Sequence, residues 1–131
     1  MVHGSPRRVN EYLFEDRGHR SLSRALEGAH ADILCFGHTH KPFYKVVSSE
    51  APGEERYWRH AVNIGSVGKP KDGDPRACYT ILAIDETARP GAKQGINVEH
   101  IRVAYDVEAA TVAVEQSDLP NVYADSLRTA Q

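Results

Sequence analysis

A nearly continuous apolar run, followed at once by a glycine and two histidines, restricts the fold of this chain more than any other feature. The run covers Ala31 to Phe36 and leads into Gly37-His38-Thr39-His40. Apolar runs of this length are typical of strands buried on both faces of an α/β sheet. Because ligands bind at the carboxyl ends of such strands, we expect His38 and His40 to lie at a functional edge of a sheet.

The His-x-His spacing supports two interpretations. Imidazole is the commonest metal ligand among side chains, and a preceding glycine lets the backbone approach an ion closely. Residues i and i+2 also share one face of a strand, so His38 and His40 could equally be two polar residues on the face of a hairpin. The motif alone leaves both interpretations open.

Composition limits the class of protein. The chain has 131 residues, of which 40% are hydrophobic and 26% charged, as in one ordinary globular domain. A formal net charge of −2 gives no basic footprint for nucleic acid or for an anionic membrane. No apolar run approaches the roughly 20 residues that span a bilayer. Cys35 and Cys78 each lie in a strand-like apolar stretch, which indicates free thiols in a cytoplasmic protein.

Hydrophobic periodicity predicts the remaining elements. A helix is expected from Ser21, where Leu22, Ala25, Leu26 and Ala29 form an apolar stripe, and a turn of helix is expected over 10–14. Strands are expected over 31–36, 42–47, 57–64, 77–85 and 97–105, the second and third forming a hairpin through a solvated turn at 48–55. Asp106 should cap a further helix, and 119–127 is a last helical piece. This order predicts an α/β protein with a mixed sheet and helices on its outer faces.

Five motifs together closely resemble the calcineurin-like metallophosphoesterase family, in particular its branch of small bacterial phosphodiesterases. They are Val2-His3-Gly4-Ser5-Pro6, Asn10-Glu11-Tyr12-Leu13, Gly37-His38-Thr39-His40, Asn63-Ile64-Gly65-Ser66-Val67-Gly68 and Gly73-Asp74-Pro75-Arg76. The resemblance implies a β-sandwich of two mixed sheets flanked by helices. It also implies two metal ions with a hydroxide between them that attacks phosphorus in line.

The resemblance also implies which residues bind the ions. His3 and His38 match ligands of the second metal, and His40 matches a ligand of the first. Imidazole nitrogens suit manganese, iron, nickel or zinc better than magnesium or calcium. The expected activity is hydrolysis of a small phosphodiester or phosphomonoester.

The chain departs from the family pattern in one important respect. The family's earlier motifs are an Asp-x-His pair, a Gly-Asp that supplies the bridging carboxylate, and a Gly-Asn-His, and none of them occurs here. The chain therefore corresponds to the second half of a four-layer fold, and 1–131 is interpreted as one partial domain with a C-terminal helical segment at 106–131. We assign no catalytic residue within it and expect it to be a poor catalyst alone. The alternative is a non-catalytic remnant that binds a metal or a partner.

Arg7 and Asn63 are the candidates for binding the phosphate group. Each has a plainer interpretation: a solvated loop arginine, and an amide that satisfies its own turn. Half of a sandwich would leave open sheet edges, so we expect self-association or pairing with the missing N-terminal half. Trp58 and the six tyrosines are expected to pack in the core and hairpin rather than to form a stacking platform for bases.

Overall fold

The computed structural model describes residues 1–48 and 56–131. Helix α1 spans His19–Gly28. Strands β1 to β5 span Ile33–Phe36, Phe43–Ser48, Trp58–Asn63, Ala77–Ile84 and Ile96–Val103, and helices α2 and α3 span Val107–Glu115 and Val122–Thr129. The turn predicted at 48–55 falls, apart from Ser48, outside the described residues.

Strands β1 to β3 form a mixed sheet with the order β1-β3-β2. Strand β1 runs parallel to β3, with Cys35 opposite Val62, and β2 runs antiparallel to β3, with Tyr44 opposite the same residue. Strands β4 and β5 form a second, antiparallel sheet. Two sheets and three helices confirm the predicted mixed α/β class, and the predicted β2–β3 hairpin is confirmed as well.

The first residues of the chain lie along the free edge of β1. Val2 N donates to Cys35 O at 3.0 Å, and Gly37 N donates to His3 O at 2.9 Å. Both contacts advance in the same direction along the two segments, so residues 1–3 run parallel to β1. Parallel neighbours end at the same edge of a sheet, and His3 is therefore delivered beside the loop that follows β1.

Helix α1 closes one face of the three-stranded sheet with the predicted stripe. Leu22, Ala25 and Leu26 are buried and pack in one core cluster with Phe36 of β1. Burying a large aliphatic side chain contributes about 1.5–3 kcal/mol, so this cluster fixes the strand from which the histidine loop emerges. The same cluster includes Leu13, which is fully buried and which, along the chain, follows residues 1–3 and precedes β1.

The turn of helix predicted over 10–14 is wrong, because residues 11–14 form an irregular segment without helical structure. Leu13 points into the core, whereas its neighbours Tyr12 and Phe14 are exposed. This alternation has the period of an extended chain rather than that of a helix.

Two smaller predictions are confirmed. Asp106 caps α2, since its Oδ1 accepts a hydrogen bond from Ala109 N at 2.8 Å. Cys35 and Cys78 are free thiols. In the described part of the chain, no helix is long and apolar enough to cross a membrane.

Candidate metal centre

Three histidines line one cleft of about 440 Å³ at the carboxyl end of β1. His3 enters it from the edge segment, and His38 and His40 enter it from the loop that follows the strand. The three predicted metal ligands therefore line the same cleft, and the interpretation of His38 and His40 as two polar residues on a hairpin face does not describe this loop.

His3 and His38 are in direct contact. His3 Nε2 lies 2.9 Å from His38 Nδ1, and the two rings meet edge to face with their centroids 4.7 Å apart. Two nitrogens that each lie about 2.1 Å from one ion are about 3.0 Å apart when they subtend a right angle at it. The observed separation therefore suits two ligands of a single ion as well as it suits a hydrogen bond.

The other ring nitrogen of His38 is unsatisfied. Its Nε2 is buried and has no hydrogen-bond partner among residues 1–48 and 56–131. Buried polar groups nearly always have partners, but Nε2 points away from Nδ1 on the same ring, so the partner that it lacks is not the ion that Nδ1 would share with His3. The two nitrogens that face each other at this end of the cleft, His3 Nε2 and His38 Nδ1, fit a cation that prefers nitrogen.

His40 is oriented by a backbone carbonyl. Its Nδ1 lies 2.6 Å from Lys69 O, and because a carbonyl only accepts, Nδ1 must hold the proton and Nε2 the free lone pair. Burial lowers the pKa of His40, more than the Lys69 carbonyl raises it, and the charges of Lys71 and Lys69 act in the same direction as burial. The ring is thus kept neutral, as a metal ligand must be.

Both histidines of the motif have left-handed backbones. The φ angles of His38 and His40 are 66° and 60°, and Gly65 across the cleft has a φ of 74°. A left-handed residue other than glycine costs on the order of 1–3 kcal/mol and persists only when its surroundings hold it. Such strain is concentrated at functional sites, which supports a functional role for this loop.

Asn63, at the end of β3, holds the histidine loop. Its Nδ2 donates to Thr39 Oγ1 at 2.8 Å, and its Oδ1 accepts from Gly65 N at 3.0 Å. The side chain is fully buried, and both ends of its amide are occupied. Contact of Asn63 with a phosphate group stays a prediction, while its contacts in this structure are those of a residue that positions the loop.

Arg7 is engaged by a carboxylate. Its Nη2 lies 2.5 Å from Glu11 Oε1, its Nε lies 3.1 Å from Oε2, and Ser5 Oγ donates to the same Oε2. The Ser5 hydroxyl and then Arg7 lower the pKa of Glu11 to about 2. A phosphate would have to compete with Glu11 for this guanidinium, and the assignment of Arg7 to phosphate binding stays a prediction.

No pattern in the sequence predicted the aromatic neighbour of His38. The ring of Tyr12 stacks on His38 with a centroid distance of 4.2 Å and an interplanar angle of 27°. Tyr12 is 45% exposed, so the expectation that the tyrosines pack in the core or hairpin is wrong for this residue. Spacing alone could not reveal a contact between two loops 26 positions apart.

The loop between β3 and β4 contains the ion pair of the Gly-Asp-Pro-Arg motif. Arg76 Nη2 lies 2.7 Å from Asp74 Oδ2, and Arg76 lowers the pKa of Asp74 to about 2. In the described ranges, no three His, Cys, Asp or Glu side chains lie close enough together to hold a metal ion. A complete ion site would therefore need donors beyond those that the described residues bring together.

The chain is similar to known proteins of one superfamily. Residues 1–87, more than half of its length, match the calcineurin-like phosphoesterase superfamily domain. Uncharacterized protein MJ0912 of Methanocaldococcus jannaschii is 30% identical over 129 residues, covering 90% of this chain and 46% of that protein.

Two solved structures share the fold. A metallophosphoesterase from Sphaerobacter thermophilus aligns with a TM-score of 0.70 and 24% identity over 99% of this chain and 54% of its own. The hypothetical protein PH1004 from Pyrococcus horikoshii OT3 aligns with a TM-score of 0.69 and 17% identity over 99% and 45%. This chain thus spans about half the length of these relatives. By its match over residues 1–87, the chain belongs to the calcineurin-like phosphoesterase superfamily.

Proposed function

We propose that this chain forms part of a metal-dependent phosphoesterase, in which His3 and His38 bind one divalent ion and His40 binds a second. Membership of the superfamily supports divalent metal ions and phosphate-ester substrates. The observation on which the proposal depends is that three histidines line one cleft, in which His3 Nε2 and His38 Nδ1 lie 2.9 Å apart. Manganese, iron, nickel or zinc suits such ligands. Bound ions would act as Lewis acids toward a phosphoryl oxygen.

The residues of this chain prepare the site. The Lys69 carbonyl presents the Nε2 lone pair of His40, and Asn63 holds the loop that aims both motif histidines. No acidic side chain lines the cleft among the described residues, so we propose that the bridging carboxylate comes from polypeptide outside this chain. The chain alone is then a weak metal binder and a poor catalyst. The free thiols of Cys35 and Cys78 support a cytoplasmic location.

Titration of the 131-residue chain with manganese by calorimetry tests the metal centre. His38→Gly is the preferred variant, because glycine accepts the left-handed backbone and only the imidazole is lost. His30→Asn is the matched control: His30 is an exposed histidine with a φ of 49°, lies outside the cleft, and asparagine tolerates that conformation. We expect His38→Gly to weaken binding by about 10-fold or more, and His30→Asn to leave it unchanged. Equal binding by all three proteins would contradict the metal centre.

Hydrolysis of bis(p-nitrophenyl) phosphate with added manganese tests whether this chain alone holds a complete catalytic site. Turnover well above a metal-free blank that is lost in His38→Gly would show that the chain alone is catalytically complete, contrary to the proposal. The alternative function, a non-catalytic remnant, is favoured by the lack of a three-ligand group among the described residues. Metal stoichiometry separates the two, because a phosphoesterase centre holds two ions per active unit, whereas a remnant would hold one or none.

A further inference from the structure

Two exposed aromatic rings extend from the candidate metal centre. Tyr12 stacks on His38, and Phe14 lies parallel to Tyr12, with their centroids 5.6 Å apart and an interplanar angle of 7°. Tyr12 and Phe14 are 45% and 37% exposed. The Tyr12 hydroxyl has no hydrogen bond within residues 1–48 and 56–131. A surface aromatic is unremarkable singly, but two aligned rings beside a candidate ion site require an explanation.

The core determines the direction of these rings. Leu13 is fully buried against Leu22, Leu26 and Phe36, so the extended segment must turn the residues on either side of it outward. The rings are thus held in place by an anchored backbone, and a ligand that binds them would need to order little of the chain.

Phe14 lines a second cleft, which adjoins the histidine loop. This cleft has a volume of about 450 Å³, within the range of small-molecule sites, and Pro42 and Phe43 contribute further apolar walls. Thr39, which lies between His38 and His40 in the loop, also lines it. A ligand with its phosphate at the histidines therefore has an apolar, ring-lined space next to it.

Charged groups surround this second cleft. Lys41 and Lys45 line it, and within the described ranges neither makes an ion pair; Lys45 Nζ donates to the Glu15 carbonyl at 3.0 Å. Glu15 and Asp16 also line it, and their carboxylates are unpaired in the same ranges. The two ammonium groups suit a phosphate, and the two carboxylates suit amino groups on a ring.

We propose that Phe14, stacked on Tyr12 and lining the second cleft, forms a stacking platform for a planar aromatic group esterified to the phosphate. The inference rests on the proposed phosphoesterase function and specifies its substrates: nucleoside or aryl phosphate esters are preferred over alkyl esters. Stacking of a base on an aromatic side chain is tolerant of sequence because every base has a π face, so the platform selects planarity rather than one base.

Matched ligands measure the contribution of the ring. Adenosine 5′-monophosphate and ribose 5-phosphate share a sugar phosphate and differ in the base, and phenyl phosphate and methyl phosphate form the corresponding aryl pair. Calorimetric titrations of the 131-residue chain, with and without manganese, give the ratio of affinities within each pair. If the preferred ligands are nucleoside phosphates, the affinity ratio should be larger for the first pair. If they are aryl phosphates, it should be larger for the second pair.

We expect the ring-bearing ligand of at least one pair to bind about 5-fold to 100-fold more tightly than its partner. Phe14→Leu should bring this ratio close to one while leaving the affinity for ribose 5-phosphate unchanged, and Phe14→Trp should retain the preference. Phe14 makes its ring contact with Tyr12, so these variants keep His38 and the tyrosine that stacks on it. Tyr105→Leu removes another exposed aromatic ring, away from both clefts, and should have no effect.

The inference is overturned if the parent protein shows no preference, if neither ring-bearing ligand binds at millimolar concentration, or if Phe14→Leu keeps the parent ratio. The titrations would give a different result if the proposed metal centre did not bind manganese. In that case manganese would strengthen binding of none of the four ligands, while the ratios within the pairs would still report on the platform.

Discussion

Replacing Gly4 with alanine should damage the fold next to His3. A Cβ built on Gly4 would lie 2.3 Å from Val9 O and 2.7 Å from Glu11 O, both of them backbone atoms. The loop that holds these carbonyls is closed by its own hydrogen bonds, in which Arg8 O accepts from Ser5 N and Glu11 N. The glycine of the His-Gly motif is therefore required by close approach of the backbone.

The magnitude follows from how far that loop must move. Atoms in ordinary contact lie about 3.5 Å apart, so the Val9 carbonyl must retreat by about 1 Å. Overpacking of this kind costs about 1–3 kcal/mol, and the upper end applies because backbone rather than a flexible side chain must shift. For a chain of this size we expect Gly4→Ala to lower the melting temperature by roughly 10 °C.

Thermal unfolding followed by circular dichroism tests this expectation. Gly28→Ala is the control, because a Cβ there meets nothing within 4 Å and alanine is favoured over glycine at this last residue of α1. We expect the control to melt at or slightly above the parent temperature. A Gly4→Ala protein that melts within about 3 °C of the parent would refute the argument from close approach.

Three further predictions concern the site. Asn63→Leu should destabilise the fold by about 1–3 kcal/mol in urea denaturation, because it leaves Gly65 N without a partner and removes the Nδ2 donor to Thr39 Oγ1, which keeps its bond from Lys41 N; an unchanged midpoint would contradict the positioning role. His38→Ala should be less stable than His38→Gly by about 1 kcal/mol, since alanine keeps the left-handed strain that glycine relieves, and equal stabilities would remove the argument from φ. The pKa of Glu11 lies at about 2, below its ordinary 4.5, so its contribution to stability is complete above pH 4.5 and is lost as the pH falls toward 2. Between pH 5 and pH 2.5, the melting temperature of Glu11→Gln should therefore fall by less than that of the parent. Parallel curves of melting temperature against pH would count against this prediction.

The local pattern of apolar and polar residues was sufficient to predict the elements that bury one face. The stripe of Leu22, Ala25 and Leu26 predicted α1, and two strand-like segments joined by a polar turn predicted the β2–β3 hairpin. Both features are visible in the pattern of residue types within one segment or two successive segments. The segment at 11–14 could not be predicted in the same way, because its conformation depends on the burial of Leu13 against distant elements.

The site was predicted in part. The apolar run before Gly37 indicated that His38 and His40 lie at a strand end, and the resemblance to the family added His3. The left-handed backbones of the motif and the stacking of Tyr12 on His38 were not predictable, since they depend on backbone geometry and on contacts between separate loops.

The apparent affinity for an ion depends on the fraction of molecules in which residues 1–3 are attached to β1. Among the described residues, two backbone hydrogen bonds, from Val2 N and from Gly37 N, and the packing of Val2 on the core hold this segment on the strand. Whenever the segment is detached, His38 loses His3, and an ion then has a single imidazole at that end of the cleft. The apparent affinity is the intrinsic affinity multiplied by the docked fraction, so any neighbouring polypeptide that held residues 1–3 on β1 would tighten metal binding without contributing a ligand of its own.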